Sequence, residues 1–563
     1  MRISTLGALT AVLGAAFAGN AGAQTVVSSD VVVDTTWSGT VILQQPIFVK
    51  DGAQLTIEEG TIVRGQPRTG AVVPGVVAGS PGALIVTNNG TIIANGTDTN
   101  PIIMTTAAVD NNLDGVPDDD DANTFLDAWT PGDVFLDANP TTTPLAPLNA
   151  AGGANVSLWG GLVVLGNAST NLTNAAGLGL GKKTVEGLTV PGFPVADATY
   201  GGDAATGDDA DSSGSLSYIS VRHAGDEIGN SNELNGVTLA GVGSGTEFHH
   251  IEVYCNFDDG IEWFGGTVSG HHLQVVFAGD DQFDLDQGYR GTNQFLVAML
   301  PFFNPVSGVF GSAGGDKGCE CDGDDSDVLN GGIPDVNLVG GQPTPFQNMN
   351  FYNFTVAGSA QGATFNGHVN DNDGWEVRNG WAGSLSNGII MDTGTRQALD
   401  LAGGGVSPFS TNENAANGLI VATTLSCDDT GVTSATPELD AFNNGVRNIG
   451  CLGVNDANFR INQRDTSFTP TGTAGYLPVA LTAGTPIDLR PSLPNATMAD
   501  GIVPALPLEA ATYRGAYDAV SVPWTAGWTA FAVSGMQAVP EPGMASLLGA
   551  GVIGLMAISR RRR

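Results

Sequence analysis

The sequence predicts an all-β protein, a right-handed parallel β-helix with acidic loop insertions and a C-terminal capping region. Short alternating strands separated by glycine turns recur along the 563 residues, 80 of which are glycine. One block in the middle of the chain repeats at a constant offset of 22 residues. That period fits one coil of a parallel β-helix, because helical solenoids use longer units and propellers need blades of roughly 40–50 residues.

Residues 1–23 have the three parts of a secretory signal peptide. Arg2 supplies a positive charge, residues 6–17 are apolar, and residues 21–23 form an A-x-A cleavage site. The apolar run is too short to span a membrane. We therefore expect secretion machinery and signal peptidase as partners; an ordinary N-terminal helix is the alternative.

The β-helix is predicted over residues 24–426. Near its start, residues 52–57 and 59–63 form two alternating strands separated by a glycine turn. Thirty residues on, residues 82–86 and 89–93 show the same arrangement. We interpret the two segments as repeats of one unit.

The 22-residue repeat predicts the register of the central coils. The matched positions are His249 with His271, His250 with His272, Asp258 with Asp280, Asp259 with Asp281, Ile261 with Phe283, and Trp263 with Leu285. Because side chains alternate along a strand, three residues of one coil are expected to point inward onto three of the next. They are Ile251, Val253 and Cys255, stacked under Leu273, Val275 and Phe277. This makes Cys255 a buried core residue.

Two insertions interrupt the predicted solenoid, at about residues 110–154 and 314–341. The first is acidic and rich in Pro and Thr, and the second is rich in Gly and Asp. Loops of a solenoid usually project from one face, which is often the binding face. The repeat is lost over residues 427–537, which we interpret as a capping or accessory β region that covers the exposed end of the helix.

Cysteines offer two pairs in an exported chain. Cys427 and Cys451 could close one disulfide-bonded loop, since export permits disulfides. Cys319 and Cys321 are separated by one residue, so that a bridge between them would be strained. A thiol pair that binds a metal is the alternative.

Three central segments carry a family resemblance. They are residues 218–225 (YISVRHAG), 256–266 (NFDDGIEWFGG) and 279–291 (GDDQFDLDQGYRG). With these segments the chain resembles a family of secreted bacterial β-helix proteins and, more distantly, the pectin-lyase-like superfamily. The resemblance implies the fold over most of residues 30–530 and supplies no known reaction.

Residues 538–563 form a three-part tail, in which a short motif precedes an apolar stretch and a basic cluster. The motif is Val539, Pro540, Glu541 and Pro542, and the cluster is Arg560, Arg561, Arg562 and Arg563. An apolar stretch followed by arginines is a stop-transfer pattern. The tail resembles the PEP-CTERM sorting signal, which implies an exosortase-type transpeptidase as partner, a transient inner-membrane anchor, and delivery to the cell envelope, outer surface or exterior. A plain C-terminal anchor is the alternative.

The net charge of −37, from 57 acidic and 20 basic residues, restricts the partners. A surface this acidic repels nucleic acid and anionic lipid and attracts cations. We therefore expect no nucleic-acid partner. Acidity that serves only solubility is the alternative.

An acidic segment in the first insertion has the spacing of a calcium-binding loop. Oxygen ligands at positions 1, 3 and 5, followed by glycine at position 6, wrap a chain around Ca²⁺. The predicted ligands are Asp110, Asn112, Asp114, Val116, Asp118 and Asp121. With Asp at the last position, the segment resembles thrombospondin type 3 and dockerin loops more than an EF-hand. Ca²⁺ is therefore the predicted cofactor, and an acidic disordered loop is the alternative.

The repeated aspartates are also predicted to stack. Coils lie about 4.8 Å apart, so that Asp258 and Asp259 would crowd against Asp280 and Asp281. Like charges this close need a cation, raised pKa values, or hydrogen bonds from turn amides and an arginine. Turn aspartates that bond only to backbone N–H groups are the alternative.

The same aspartates support an enzyme alternative. Polygalacturonases use clustered aspartates on a β-helix as acid and base, and pectate lyases use aspartates on Ca²⁺ with an arginine base. The catalytic candidates are Asp258, Asp259, Asp280, Asp281 and Arg290, with Asp284 and Asp286 as further Ca²⁺ ligands. The sequence contains no Arg-x-Lys motif, which argues against the polygalacturonase pattern.

Four of the six histidines repeat at the coil spacing. If His250 and His272 face outward beside each other, they could bind a transition metal. A stacked pair on the strand surface is the alternative.

These observations favour a non-catalytic surface or matrix protein. It would be exported, processed and stabilised by Ca²⁺, and it would bind polysaccharide or cations. The alternative is a polysaccharide lyase or glycoside hydrolase acting on an acidic polymer. The acidic surface disfavours a polyanionic substrate unless Ca²⁺ bridges the two.

Overall fold

The computed structural model describes much of the solenoid and parts of the C-terminal region. The described residues are 24–70, 79–119, 125–172, 177–188, 193–203, 205–226, 233–301, 316–323, 338–339, 342–343, 349–358, 374–378, 381, 383–391, 399–400, 420–423, 426–428, 452–453, 489–490, 508–511, 513–518 and 521–537. The predicted signal peptide and sorting tail lie outside this set. Within it, no helix has the length and apolar character needed to cross a membrane.

The first of two long parallel sheets has 17 strands within the described residues. They are β1 (Thr25–Val27), β2 (Thr35–Trp37), β3 (Thr40–Leu43), β5 (Gln54–Ile57), β6 (Ile62–Gly65), β8 (Thr91–Asn95), β9 (Ile102–Thr106), β13 (Gly214–Arg222), β15 (Glu247–Tyr254), β17 (Gly270–Val276), β19 (Thr292–Met299), β23 (Met349–Ala357), β25 (Gly383–Ser386), β26 (Ile389–Met391), β28 (Ile420–Thr423), β29 (Ser426–Asp428) and β30 (Leu452–Gly453).

The second parallel sheet has nine strands in the same part of the chain. They are β4 (Pro46–Val49), β7 (Ala83–Val86), β10 (Gly161–Leu165), β14 (Val237–Ala240), β16 (Ile261–Phe264), β18 (Phe283–Asp286), β20 (Glu320–Asp322), β24 (Trp375–Arg378) and β27 (Leu399–Asp400). Among the described residues, two hairpins and two one-turn helices accompany the sheets. They are β11 (Lys182–Thr184) with β12 (Thr199–Gly201), β21 (Leu338–Val339) with β22 (Gln342–Pro343), α1 (Val195–Ala198) and α2 (Ala530–Val533).

Successive central strands alternate between the two sheets. β15, β17 and β19 lie in the first sheet, and β16 and β18 lie between them in sequence but in the second sheet. Neighbours within each sheet pair in parallel. The chain therefore visits both sheets in every coil, which confirms the predicted parallel β-helix.

The 22-residue offset gives the register of the central coils correctly. In the first sheet His249 pairs with His271. In the second sheet Ile261 pairs with Phe283 and Trp263 pairs with Leu285. Residues one repeat apart are therefore vertical neighbours, as predicted.

The prediction that residues 52–63 and 82–93 are repeats of one unit is wrong. Leu55 pairs with Ile92 in the first sheet, and Ile47 pairs with Leu84 in the second. Residues 52–57 and 82–86 therefore belong to different sheets. Both segments begin with Gly-Ala, but Gly52 lies in a turn with φ of +81°, whereas Gly82 does not have a left-handed backbone.

A column of residues with left-handed backbone conformation bends the long strands of the first sheet. They are Tyr218, His250, His272, Phe295 and Asn353, with φ of +50°, +52°, +57°, +59° and +54°. Because β13, β15, β17, β19 and β23 pair in register, these residues occupy the same position in successive coils. Because few side chains adopt this conformation freely, the repeated bend is a defined feature that divides the first sheet into two faces.

A second column of left-handed residues changes where Cys255 lies. Cys255 and Phe277 have φ of +58° and +68°. Cys255 is buried as predicted. The prediction that both side chains stack in the interior is wrong, because they join an outer cluster with Tyr517 and Phe531. The left-handed backbone interrupts the alternation on which the prediction depended.

The interior of the solenoid is packed with stacked apolar side chains, including Val253, Val275, Trp263 and Leu285. Gly260 lies where the second sheet approaches the first. A Cβ atom there would come within 2.2 Å of Cγ1 of Val275. Glycine is therefore required before β16 by close packing.

The C-terminal boundary of the solenoid lies beyond residue 426. β29 pairs with β26, and β30 pairs with β29. The described part of residues 489–537 packs against the outer face of central strands, where the ring of Phe531 lies 6.3 Å from that of Phe277. The described part of this region therefore covers a side of the helix, and a cap over the end of the helix stays a prediction for the other residues of 427–537.

The prediction that residues 314–341 form a loop insertion also needs correction. Within residues 314–341, β20 is a strand of the second sheet and pairs with β18 and β24. Cys319 and Cys321 face the interior, and their Sγ atoms lie 3.5 Å apart. The indole N–H of Trp375 donates to Sγ of Cys321 at 3.1 Å. The pair is part of the core and does not project in a loop.

The first predicted insertion, residues 110–154, is anchored to the coils in its described part. Gln66 donates to the carbonyl of Trp129 at 2.9 Å and accepts from its backbone N–H at 2.8 Å. The guanidinium of Arg64 lies over the ring of Phe135 and donates to the carbonyl of Asp137 at 2.8 Å. The insertion therefore packs on the solenoid wall.

Candidate metal centre

The outer face of the second sheet carries a column of carboxylates. Glu262 pairs with Asp284, Asp284 with Glu320, and Glu320 with Glu376, so that four successive coils place an acid at one position. The residues beside them, such as Trp263 and Leu285, point inward. Alternation along each strand therefore turns the acids outward, about 4.8 Å apart.

A second group of acids lies in the turns that enter this sheet. The 22-residue repeat brings Asp258 and Asp259 to the level below Asp280 and Asp281. The backbone N–H of Asp281 donates to Oδ1 of Asp259 at 2.8 Å, and that of Gly279 donates to the carbonyl of Asp258 at 3.1 Å. The predicted aspartate stack is therefore present.

The turn acids and the column converge on shared points. Three sets have one carboxylate oxygen per residue within 4.8 Å of the others. They are Asp258, Asp259 and Asp280; Asp259, Glu262 and Asp284; and Asp280, Asp281 and Asp316. Asp259 and Asp280 each belong to two sets, which joins the three into one acidic cluster.

One lysine lies inside this cluster. The Nζ atom of Lys317 is 2.6 Å from Oε2 of Glu320, 3.3 Å from Oε2 of Glu376 and 3.8 Å from Oδ2 of Asp281, and it also contacts Asp316. Burial alone would lower the pKa of Lys317, but the carboxylates of Asp281, Asp316 and Glu376 offset this and raise it. Lys317 is therefore held as a cation that balances part of the negative charge.

Burial and mutual repulsion disfavour ionisation of the turn acids. Burial raises the pKa values of Asp258 and Asp259 well above their usual range, and neighbouring carboxylates raise them further. The pKa values of Glu262 and Asp281 rise for the same reason, although Lys317 opposes the rise at Asp281. Protonation or bound cations must therefore neutralise the cluster.

Asp322 lies two residues after Glu320 on β20 and is affected by the charges of the same acids. Burial raises its pKa, and the charges of Asp286 and Asp284 raise it further, to about 10. Asp286, predicted as a Ca²⁺ ligand, therefore faces Asp322. The carboxylate of Asp284, the other such residue, lies within the acidic cluster.

The residues of the acidic cluster suit a hard divalent cation. Carboxylate oxygens are the ligands that Ca²⁺ prefers, and Ca²⁺ takes six to eight of them in flexible geometry. Oδ1 of Asp281 is buried and accepts no hydrogen bond from any residue that the structure describes. Buried carboxylate oxygens are ordinarily paired or bound to a metal, so that the oxygen ligands of the cluster are of the kind that Ca²⁺ prefers.

Arg290, the predicted catalytic base, contacts residues that do not belong to the acidic cluster. Its Nη2 atom lies 2.8 Å from Oδ1 of Asp209 and also donates to Oγ of Ser169. Burial lowers its pKa, and Asp209 opposes the shift. These contacts give Arg290 a structural role in joining two turns.

The predicted calcium loop is closed by bonds to its own backbone. Asp110 accepts from the backbone N–H groups of Asp114 and Gly115 at 3.1 and 3.0 Å, and Asp114 accepts from that of Val116 at 2.9 Å. Among described residues, Asp110, Asp114 and Asp118 form no set of three converging acids. Asp121 lies outside the described residues, so that this loop stays a prediction.

Other predicted residues are distributed as follows. His249, His250, His271 and His272 come together on the first sheet, away from the acidic cluster. The side chains of Cys427 and Cys451, the sorting motif from Val539 to Pro542 and the arginines from Arg560 to Arg563 lie outside the described residues. The cluster residues that sequence reasoning missed are Asp316, Lys317, Glu320, Asp322 and Glu376. An alternating Cys-Glu-Cys-Asp run at residues 319–322 was the signal for a strand there.

Comparison with known proteins agrees with the architecture. The family model described as a pectate-lyase-like β-helix domain matches residues 25–115 and 145–451. No curated protein matches significantly. Among solved structures, the crystal structure of pectate lyase Pel9A is 10% identical and aligns over 88% of this chain and 87% of that chain with a TM-score of 0.29. Since the family model spans more than half of the sequence, the chain belongs to the pectate-lyase-like β-helix domain family.

Proposed function

We propose that this protein is an exported, non-catalytic β-helix protein of the cell envelope or extracellular matrix that binds Ca²⁺ on the second sheet. The observation that carries the proposal is the convergence of carboxylates at the buried Asp259, together with the buried Oδ1 of Asp281, which has no hydrogen-bond partner among the described residues. Ca²⁺ would be held by the turn acids and Asp284. It would neutralise carboxylates that repel one another in its absence.

Polysaccharide binding follows from the same site. A net charge of −37 repels an acidic polymer. Ca²⁺ held on exposed carboxylates such as Asp280 would supply the positive charge that carboxylate groups of a uronic-acid polymer need. Export, exosortase processing and an exopolysaccharide partner rest on the two ends of the sequence, and they complete the proposal.

Calorimetric titration of chelator-treated protein with CaCl₂ tests the site. The full chain should bind Ca²⁺, and addition of EGTA should lower its melting temperature by several degrees. Asp259→Asn should weaken binding, because Asp259 belongs to two of the converging sets. Asp51→Asn removes an equal charge from an exposed turn and is the matched control. Equal affinity in the Asp259 variant, or no heat of binding at all, would overturn the proposal.

A second candidate, a lyase acting on an acidic polysaccharide, is favoured by the position of Lys317. β-Elimination needs a base beside a cation that neutralises the uronate, and Lys317 lies among the carboxylates that would hold such a cation. The raised pKa of Lys317 keeps it charged, and a charged amine cannot accept a proton. The binding function therefore comes first.

A screen of uronic-acid polymers separates the two functions. Turnover that produces the ultraviolet absorbance of an unsaturated uronate, and that is lost in a folded Lys317→Met variant, would establish the lyase. Binding of the same polymers in Ca²⁺ and not in EGTA, without turnover, would support the binding protein.

A further inference from the structure

The first sheet carries a histidine cluster that the proposed function does not use. It consists of His249 and His250 on β15 and His271 and His272 on β17. In a regular strand, successive side chains point to opposite faces. Here the left-handed φ of His250 and His272, +52° and +57°, turns each of them to the same side as the preceding histidine. All four imidazoles are therefore brought together.

The four rings form two stacked columns in contact with each other. The rings of His249 and His271 are 4.7 Å apart and within 6° of parallel, and those of His250 and His272 are 4.4 Å apart and within 7°. Between the columns, Nδ1 of His249 lies 2.9 Å from Nδ1 of His250, and the corresponding atoms of His271 and His272 are 2.8 Å apart. One ring nitrogen from each of His249, His250 and His271 falls within 4.8 Å of the other two.

Aromatic rings support the inner column and leave the outer one accessible. Tyr218 stacks on His250 at 4.2 Å, and the ring of Trp524 lies edge-on to His272 at 5.1 Å. His272 is buried, with 9% of its surface exposed, whereas His249 and His271 are half-buried. The cluster is therefore packed against aromatic rings on the side of His250 and His272 and accessible on the side of His249 and His271.

We propose that His249, His250 and His271 bind a divalent transition-metal ion. Imidazole nitrogen suits Cu²⁺, Ni²⁺ and Zn²⁺, whereas carboxylate oxygen suits Ca²⁺ and Mg²⁺. His272 is a positioning residue, because it contacts His271 through the Nδ1 atoms and stacks on His250 from the next coil.

The two sites can be tested independently, because one offers carboxylate oxygens and the other imidazole nitrogens. The acidic cluster lies on the second sheet and the histidine cluster on the first. Millimolar Ca²⁺ should fill the carboxylates and leave the imidazoles free. Cu²⁺ is the most sensitive probe, because it heads the affinity order of the first-row divalent ions.

Equilibrium dialysis of the full chain against CuCl₂, in excess CaCl₂, tests the proposal. We expect one tightly bound Cu²⁺ whose paramagnetic resonance spectrum shows splitting by nitrogen. His250→Gln and His271→Gln should each weaken binding by about tenfold or more, a change of the size seen when a metal site loses a supporting group. His368→Gln, which removes a histidine far from the cluster in sequence, is the control and should leave the affinity unchanged.

Three outcomes would overturn the proposal. They are affinities in the cluster variants equal to that of the unaltered chain, a spectrum without nitrogen splitting, and an equal loss in the His368 variant. If the His250 variant melts early, His249→Gln provides the decisive test, since His249 lies on the open side of the cluster. Loss of Ca²⁺ binding in the separate titration would affect the proposed function and leave this inference intact.

Discussion

The carboxylate of Glu252 accepts a hydrogen bond of 3.0 Å from the backbone N–H of Phe531, which follows it by 279 residues. It also accepts from the backbone N–H of Ala530 at 2.6 Å. Both donors belong to the first turn of α2, where backbone N–H groups have no partner within the helix. One buried glutamate on β15 therefore fixes the C-terminal segment to the side of the solenoid.

Removal of this carboxylate should loosen the segment. We expect Glu252→Ala to reduce the free energy of unfolding by about 3 kcal/mol, since two buried N–H groups lose a charged acceptor. Urea denaturation measures the loss, and limited proteolysis should cleave within residues 489–537. Glu247→Ala, an exposed glutamate on the same strand, is the control. Equal stability of the two variants would contradict the assigned role of Glu252.

Asp259→Asn should raise stability without calcium and reduce the stabilisation that calcium provides. In EGTA at about pH 8 the variant should melt at a higher temperature than the unaltered chain, because one of several crowded charges is gone. In CaCl₂ the rise in melting temperature should be smaller, because a ligand is missing. A thermal melt in both buffers, with Asp51→Asn beside it, makes the comparison. A variant less stable in both buffers would show that the acids do not repel one another.

Without calcium, stability should fall as pH rises. The folded pKa of Asp322 is about 10, against an unfolded value of about 4. A group whose pKa is raised on folding contributes stability that is complete below the unfolded value and is lost as pH approaches the folded value. The histidines, whose pKa values are lowered, affect stability only below about pH 6.5.

Melting temperatures in EGTA between about pH 7 and pH 9 measure this effect. They should decline steadily, and CaCl₂ should reduce the slope, since Ca²⁺ binds the ionised acids. A chelated protein that becomes more stable across this range would contradict the buried acidic cluster.

Gly260→Ala should destabilise the central coils. The added methyl group would meet Cγ1 of Val275 at 2.2 Å, and neither strand can move without disturbing its neighbours. Forced overpacking of this kind costs about 2 kcal/mol. Gly70→Ala, where the nearest atom is 3.8 Å away, is the matched control. Chemical denaturation of both variants gives the difference.

The sequence predicted the register of β15 with β17 and of β16 with β18 because one 22-residue coil is repeated there without an insertion. It missed Glu320 and Glu376, which continue the column of Glu262 and Asp284, because unequal stretches of chain separate these later strands. It placed the ring of Phe277 in the interior because a residue that leaves the β region of backbone space has no mark in hydrophobic alternation. A sequence repeat thus predicts which residues stack on neighbouring coils. It does not predict where a left-handed residue bends the backbone and turns a side chain to another face.

The column formed by Glu262, Asp284, Glu320 and Glu376 places four acids on successive coils, and Lys317 balances part of their charge at Glu320 and Glu376. Where these acids are ionised, neighbours about 4.8 Å apart repel by more than the thermal energy, which two unit charges reach at about 7 Å even in water. Such a row attracts small cations in proportion to its length, as the phosphates of a nucleic acid do. Each acidic coil added to the stack would therefore strengthen the hold on ions along the whole row, and ions could exchange from rung to rung without leaving it.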